Sequence, residues 1–316
     1  MSKRIARRKF LAQLGGLGGL LLLRSAQPGP ESAGVRALGQ TGVRCFVLGL
    51  GTAPLGVQRA SFHRFSAVFE TALSEGVQVV DTAPNYGPAE EYLGRLLGDR
   101  EGPILLTKVG DPSRVGALRQ IEISRRRLRR DQLDGVLIHH VGAFPPELLF
   151  GPEGAWAALV EAKTRGIVRW IGVAGHYRPE RFLPALDDPA TDLVMMPINY
   201  VDRYTYGFES RVLPGARRRD LAVLATQVLG GARGMRYDRP TPALLSGPRY
   251  EPALRYALSL EGISCVLIGA ATPEEIRQAA RTVRTAEPLR PEEWAALRRD
   301  GLRLAQRWGP HLGPVM

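Results

Sequence analysis

The sequence predicts an α/β protein: a closed (β/α)8 TIM barrel with an N-terminal β-hairpin, preceded by a signal peptide. Three observations lead there. Eight short apolar runs alternate with amphipathic stretches from Phe46 onward, without a break in composition. The 316 residues, 44% hydrophobic and 23% charged, suffice for one barrel-sized core. The polar residues that follow the apolar runs collect at their C-terminal ends, the face where a parallel barrel keeps its chemistry.

Taken in order, residues 1–33 read as a signal peptide and linker, and residues 34–316 as the barrel. Lys3, Arg4, Arg7, Arg8 and Lys9 precede an apolar stretch from Leu11 to Leu23, which is too short to span a bilayer comfortably. The Arg7-Arg8 pair followed by Lys9-Phe10-Leu11 resembles a twin-arginine signal. The expectation is export, to the periplasm, by the twin-arginine (Tat) translocation machinery. No stable membrane span is expected unless the signal stays uncleaved as an anchor. Next, Gly39-Gln40-Thr41-Gly42 lies between apolar flanks and reads as a hairpin turn within Val35 to Phe46.

Strands are expected at Phe46–Gly49, Val77–Val80, Ile104–Thr107, Gly135–Ile138, Trp170–Val173, Leu193–Met196, Ala222–Ala225 and Cys265–Ile268. Helices between them are expected at Phe62–Glu75, Ala89–Leu97, Val115–Leu128, Gly154–Arg165, Pro179–Leu186, Glu209–Arg219 and Pro242–Leu260. Glu274–Arg281 and Pro291–Arg307 read as helices after the last strand. Loop aromatics Tyr200, Tyr204 and Tyr206 are placed either at the barrel mouth or on the surface.

Charge and cysteine content exclude some classes. The formal net charge is +12, but the first 30 residues hold six basic residues and no acid, so half of it lies there. The basic run Arg125, Arg126, Arg127, Arg129 and Arg130 falls on one helix and its end and reads as a solvated face. No module that reads nucleic acid accompanies it, so no nucleic-acid partner is expected. Cys45 and Cys265 are far apart and form no CxxC, so they read as buried free thiols and no metal site is expected.

Asp81, Tyr86, Lys108 and His139 follow three neighbouring strands. Together they suit proton donation to a carbonyl. A phenol with a pKa near 10 gives up its proton poorly at neutral pH, and a neighbouring ammonium lowers that value. An acid behind the ammonium holds it in place, and a histidine on the far side orients the carbonyl oxygen. Successive side chains on a strand point to opposite sides, so only one of His139 and His140 is expected to face the barrel axis.

Four ordered motifs now resemble the aldo-keto reductase family. They are Val79-Val80-Asp81-Thr82-Ala83-Pro84-Asn85-Tyr86-Gly87, Leu106-Thr107-Lys108-Val109, Leu133 to His139, and Gly166 to Val173. The resemblance implies NADP- or NAD-dependent interconversion of aldehydes, ketones or sugars with their oxidised or reduced partners. It makes Tyr86 the general acid, Lys108 its pKa partner, Asp81 the anchor of the lysine and His139 the residue that orients the carbonyl.

The resemblance also implies a cofactor site formed by Gly51, Thr52, Asn199, Leu229, Gly230, Gly269, Ala270 and Glu275. Here the chain departs from the family's pattern. Ala174-Gly175-His176 replaces the Ser-Asn that contacts the carboxamide, Met195 stands at a glutamine position, and Thr226 stands where a stacking aromatic is usual. Arg277 is the basic residue near the adenosine end in sequence. These departures keep a second reading open, a non-catalytic barrel acting as an exported binding or regulatory protein.

Overall fold

The computed structural model describes residues 34–98, 102–232, 239 and 241–315. The expected signal, residues 1–33, lies outside them. The strands are β1 (Val35–Ala37), β2 (Arg44–Phe46), β3 (Leu48–Gly51), β4 (Val79–Asp81), β5 (Ile104–Val109), β6 (Leu133–Ile138), β7 (Val168–Ala174), β8 (Leu193–Pro197), β9 (Ala222–Thr226) and β10 (Ile263–Gly269). The last eight close into a parallel barrel in which β10 pairs with both β9 and β3.

The surrounding helices are α1 (Ala53–Val57), α2 (Phe62–Ser74), α3 (Ala89–Leu97), α4 (Arg114–Leu128), α5 (Pro146–Phe150), α6 (Ala155–Thr164), α7 (Leu183–Asp187), α8 (Phe208–Arg211), α9 (Leu213–Arg218), α10 (Tyr250–Leu258), α11 (Pro273–Thr285) and α12 (Pro291–Trp308). Among the described residues no helix is long and apolar enough to cross a membrane.

Side-chain alternation divides the apolar residues into two layers. Val80, Leu105, Val136, Ile138, Ile171 and Val194 pack outward under the helices. Val79, Leu106, Leu137, Leu193, Leu224 and Cys265 fill the barrel interior. Two residues further along three of these inward columns stand Asp81, Lys108 and His139. The strand period thus turns an apolar interior into a polar floor at the C-terminal face.

The opposite end is plugged by the β1–β2 hairpin, whose Leu38 and Cys45 join the interior cluster. Arg36 donates to the carbonyls of Ile263 and Leu258, at 2.9 and 2.6 Å, and Phe46 N–H donates to Gln78. Both cysteines are buried free thiols.

Several expected boundaries move. The run Phe46–Gly49 is two elements, since Phe46 pairs with Val35 in the hairpin while β3 begins at Leu48. The strand expected at Val77–Val80 spans Val79–Asp81, which takes the acid into the strand. Glu209–Arg219 breaks at Val212, because Pro214 starts a fresh helix. Pro242–Leu260 is α-helical only over Tyr250–Leu258, after a 3-10 turn at Gly247–Arg249 that Gly247, at φ +60°, and Pro248 keep out of the α-helix. Tyr200 and Tyr206 are buried, and Tyr204 is exposed.

Candidate active site

Lys108 and Asp81 form the centre of the polar floor. The Lys108 ammonium donates to Asp81 Oδ1 at 2.5 Å and to the Thr82 carbonyl at 2.8 Å. Both residues are buried. Burial pulls the Lys108 pKa below its ordinary value, and the Asp81 carboxylate draws it part of the way back. Burial likewise raises Asp81, against the pull of the ammonium. Removing one member of such a pair strands the other charge, at a cost of about 3–5 kcal/mol. Thr52 supports the pair from behind: its N–H and its hydroxyl both donate to the Asp81 carbonyl, each at 2.9 Å.

Tyr86 reaches the same place from the loop after β4. Its ring centroid lies 5.1 Å from Lys108 Nζ and 6.0 Å from the His139 ring, nearly edge-on. Two glycines set the loop. A Cβ on Gly56 of α1 would sit 2.1 Å from the Tyr86 carbonyl oxygen, and Gly87 turns away at φ +50°. The backbones of α1 and the tyrosine loop therefore touch directly.

The histidines overturn one expectation. His139 and His140 both face the site, stacked at 3.9 Å and 14°. Alternation fails because His140 leaves the strand in the left-handed region, φ 56° and ψ 49°. His176, after β7, lies 5.4 Å from His140. Burial is the main cause in each case that keeps these imidazoles uncharged. His139 is held well below the usual histidine range, His140 is pulled to about 4 and His176 to about 3.

These rings line a cleft of about 500 Å³, shared with Asn85, Tyr177 and Leu312 among others. Gln120 also faces it, and its Oε1 accepts from the N–H groups of Gly110 and Asp111 at 2.7 and 3.1 Å. Sequence reasoning had set His140 aside and did not mark Gln120, Tyr177 or Leu312. The adjacent His-His at a strand end was the signal available for the first; nothing local marks the others.

The expected cofactor residues divide. Gly51 and Gly269 end β3 and β10, and Leu229, Gly230, Ala270 and Glu275 follow β9 and β10, so all stand at the C-terminal face. Gly230 and Gly231 turn with φ of 77° and 68°, and Gly269 is exposed just before the N-terminus of α11. The hydroxyl oxygen of Thr226, at the end of β9, is buried with no partner among the described residues. The unpartnered Thr226 hydroxyl is the feature here that fits a polar group of a dinucleotide, whereas the Gly230 and Ala271 N–H groups are already given to the Gln227 carbonyl and to Glu275, at 2.8 and 2.7 Å.

Two residues are reassigned. Asn199 spends its amide on the scaffold: Nδ2 donates to Asp202 (2.7 Å) and across to the Gln227 carbonyl after β9 (2.9 Å), and Oδ1 accepts from Val201 and Asp202 N–H. It orders the loop and has no bond left for a cofactor. Thr52 is wholly buried and positions Asp81 instead.

At the far end, the Glu275 carboxylate accepts from Ala271 N–H at 2.7 Å. Arg64 of α2 donates to the Ala271 carbonyl at 3.0 Å, bringing in from a distant segment a basic residue that reading near Arg277 missed. Arg277 itself pairs with Glu274. The arginine run on α4 is tied into the scaffold: Arg125 and Arg126 pair with Glu122, and Arg127 reaches the buried Glu90.

A parallel barrel with a buried lysine–carboxylate pair, a tyrosine and a histidine at its C-terminal face defines a class of carbonyl oxidoreductases. The comparisons agree with it. The profile of the Aldo/keto reductase family matches residues 47–244, and the chain belongs to that family. Pyridoxal 4-dehydrogenase of Microbacterium luteolum is 27% identical, over 84% of this chain and 97% of that protein.

Among solved structures, an aldo-keto reductase from Klebsiella pneumoniae in complex with NADPH superposes with a TM-score of 0.67 at 22% identity, over 89% of this chain and 99% of that one. A holo-form aldo-keto reductase from Bacillus halodurans gives a TM-score of 0.66 at 24% identity, over 84% and 95%. These two show the shared fold. The protein is an NAD(P)-dependent oxidoreductase that transfers a hydride between nicotinamide and a carbonyl or alcohol.

Proposed function

We propose that Tyr86, Lys108, Asp81 and His139 carry the proton transfer that accompanies hydride transfer, on an aldehyde, ketone or sugar. The observation that carries this is the buried Lys108–Asp81 contact of 2.5 Å, with Lys108 Nζ 5.1 Å from the centre of the Tyr86 ring. A bound nicotinamide cofactor supplies or accepts the hydride. Tyr86 holds the proton at its phenol oxygen and delivers it to the carbonyl oxygen. Lys108 sets a positive charge beside the phenol ring, and Asp81 keeps the ammonium aimed. Neutral His139 hydrogen-bonds the carbonyl oxygen and fixes its direction. Residues 229–231 and 269–275, with Thr226, hold the dinucleotide. Titration of the purified protein with NADPH and with NADH tests this, read by nicotinamide fluorescence. Saturable binding of at least one is expected, and failure of both to bind would remove the cofactor role assigned to those loops.

The N-terminal basic and apolar stretch supports an exported, periplasmic enzyme that crosses the membrane folded, through the twin-arginine machinery, with its nucleotide already bound. That route reconciles a nicotinamide enzyme with a compartment where nicotinamide is not readily regenerated. Cell fractionation of the Arg7→Lys, Arg8→Lys variant checks it. The variant should accumulate in the cytoplasm, and an unchanged distribution would count against export by this route.

A further inference from the structure

Glu90 stands in the first turn of α3 and is buried, at 1% exposure, although the proton transfer does not use it. Taking a carboxylate out of water is expensive, so its partners matter. Its Oε1 accepts from the Thr107 hydroxyl at 2.7 Å, a contact that is itself buried. Its Oε2 lies 3.5 Å from Arg127 Nη1, and the same nitrogen donates to the Pro84 carbonyl at 3.4 Å. Arg127 can reach because the backbones of α3 and α4 touch: a Cβ on Gly94 would sit 2.1 Å from the Arg127 carbonyl oxygen.

Thr107 immediately precedes Lys108 on β5. Alternation turns Lys108 into the barrel and Thr107 outward, to the side of Leu105 and Val109. The segment from Asp81 to Glu90 leaves β4, carries Tyr86 and enters α3, and it is fastened to β5 at both ends. Asp81 holds Lys108 inside the barrel, and Glu90 holds Thr107 outside it. Between these ends, Pro84 is tied to Arg127, and Ala89 N–H donates to the Tyr86 carbonyl at 3.1 Å. An apolar pair at positions 90 and 107 would serve stability as well as the buried carboxylate does. It would not serve geometry, because apolar contact is non-directional whereas a hydrogen bond fixes both distance and direction.

We propose that Glu90 is a positioning residue for Tyr86: with Thr107 and Arg127 it fixes the helix end of the tyrosine loop to the strand that carries Lys108. The phenol is thereby held near the ammonium by fastenings on both faces of β5. This rests on the oxidoreductase reading of the site and adds residues that act through Tyr86. It also gives Arg127, which belongs to a basic run that reads in sequence as a solvated face, a place in the support of the site.

The test uses Thr107→Val, Glu90→Leu and Glu90→Gln in the full-length protein. The carbonyl probes are propionaldehyde, benzaldehyde and glyceraldehyde, each with NADPH and with NADH. Turnover is counted per nucleotide-binding molecule, so that partial unfolding does not enter. In Thr107→Val and Glu90→Leu, kcat should fall about 10- to 100-fold, the scale set by a displacement of about 1 Å. Nucleotide affinity and the carbonyl KM should stay close to their wild-type values. Glu90→Gln keeps an acceptor for the Thr107 hydroxyl and should recover most of the lost kcat. In the Tyr86→Phe background Glu90→Leu should bring no further fall, because the phenol that it positions is gone. Thr107→Val, nearly isosteric, carries the test if Glu90→Leu does not fold.

A role in stability alone would lower the melting temperature and leave kcat per binding site unchanged. Wild-type kcat in Thr107→Val would therefore overturn the proposal. So would Glu90→Gln as slow as Glu90→Leu, or an undiminished effect of Glu90→Leu on top of Tyr86→Phe. Absence of turnover of all three probes together with absence of nucleotide binding in the wild type would overturn the oxidoreductase reading and this proposal with it.

Discussion

His140 shows how one backbone angle can reshape a site. A strand's alternation would send it away from His139; a φ of 56° brings it back as a stacked neighbour. Nothing in the residue type announces that angle, so alternation was the right expectation and the wrong outcome. Asp81, Lys108 and His139 were legible because the period of two that buries Val79, Leu106 and Leu137 also fixes the residues two positions on. Thr52 and Asn199 were not, since their bonds to Asp81, Asp202 and Gln227 are made by folding rather than written locally.

The histidine stack also has a consequence for stability. The folded-state pKa values of His139, His140 and His176 lie below the unfolded value near 6.5, so below that pH the unfolded chain takes up protons that the fold refuses. Stability from this source is constant above about pH 7 and falls as pH drops from 6.5 toward the folded values. For His140, at about 4, the loss reaches about 2 kcal/mol by pH 5. Thermal unfolding at pH 7.5 and pH 5 should show a smaller drop in His140→Phe than in the wild type. Equal drops would refute the assignment.

The barrel strands were readable as apolar runs because both of their faces are buried, whereas helix limits followed proline and glycine details. Pro214 divides one expected helix, and Gly247 with Pro248 delays another. The contact of α1 with the tyrosine loop is invisible in sequence, although Gly56 and Gly87 are its trace. Substituting Gly56 by alanine places a methyl group 2.1 Å from the Tyr86 carbonyl. The loop must move, at a cost of about 1–3 kcal/mol, and displacement of the phenol by even about 1 Å can lower turnover up to about 100-fold. Calorimetry and steady-state rates on Gly56→Ala read both effects. A wild-type melting temperature with wild-type turnover would show that this contact does not set the position of Tyr86.

The molecule has two unlike ends. The hairpin closes the N-terminal face with apolar side chains and with Arg36 bonds to one strand carbonyl and one helix carbonyl. The other face collects an ion pair, a phenol, three imidazoles and the glycine turns. That polarity, present in the order of residues along each strand, is what makes the chain legible as an enzyme before its substrate is known. Its central claim is that Tyr86 gives and takes the proton above Lys108. The direct test is carbonyl turnover by Tyr86→Phe, with whichever nicotinamide nucleotide binds, at saturating nucleotide. The account predicts a fall in kcat/KM of about 100- to 10,000-fold with nucleotide affinity retained. Turnover within a few-fold of the wild type would contradict it.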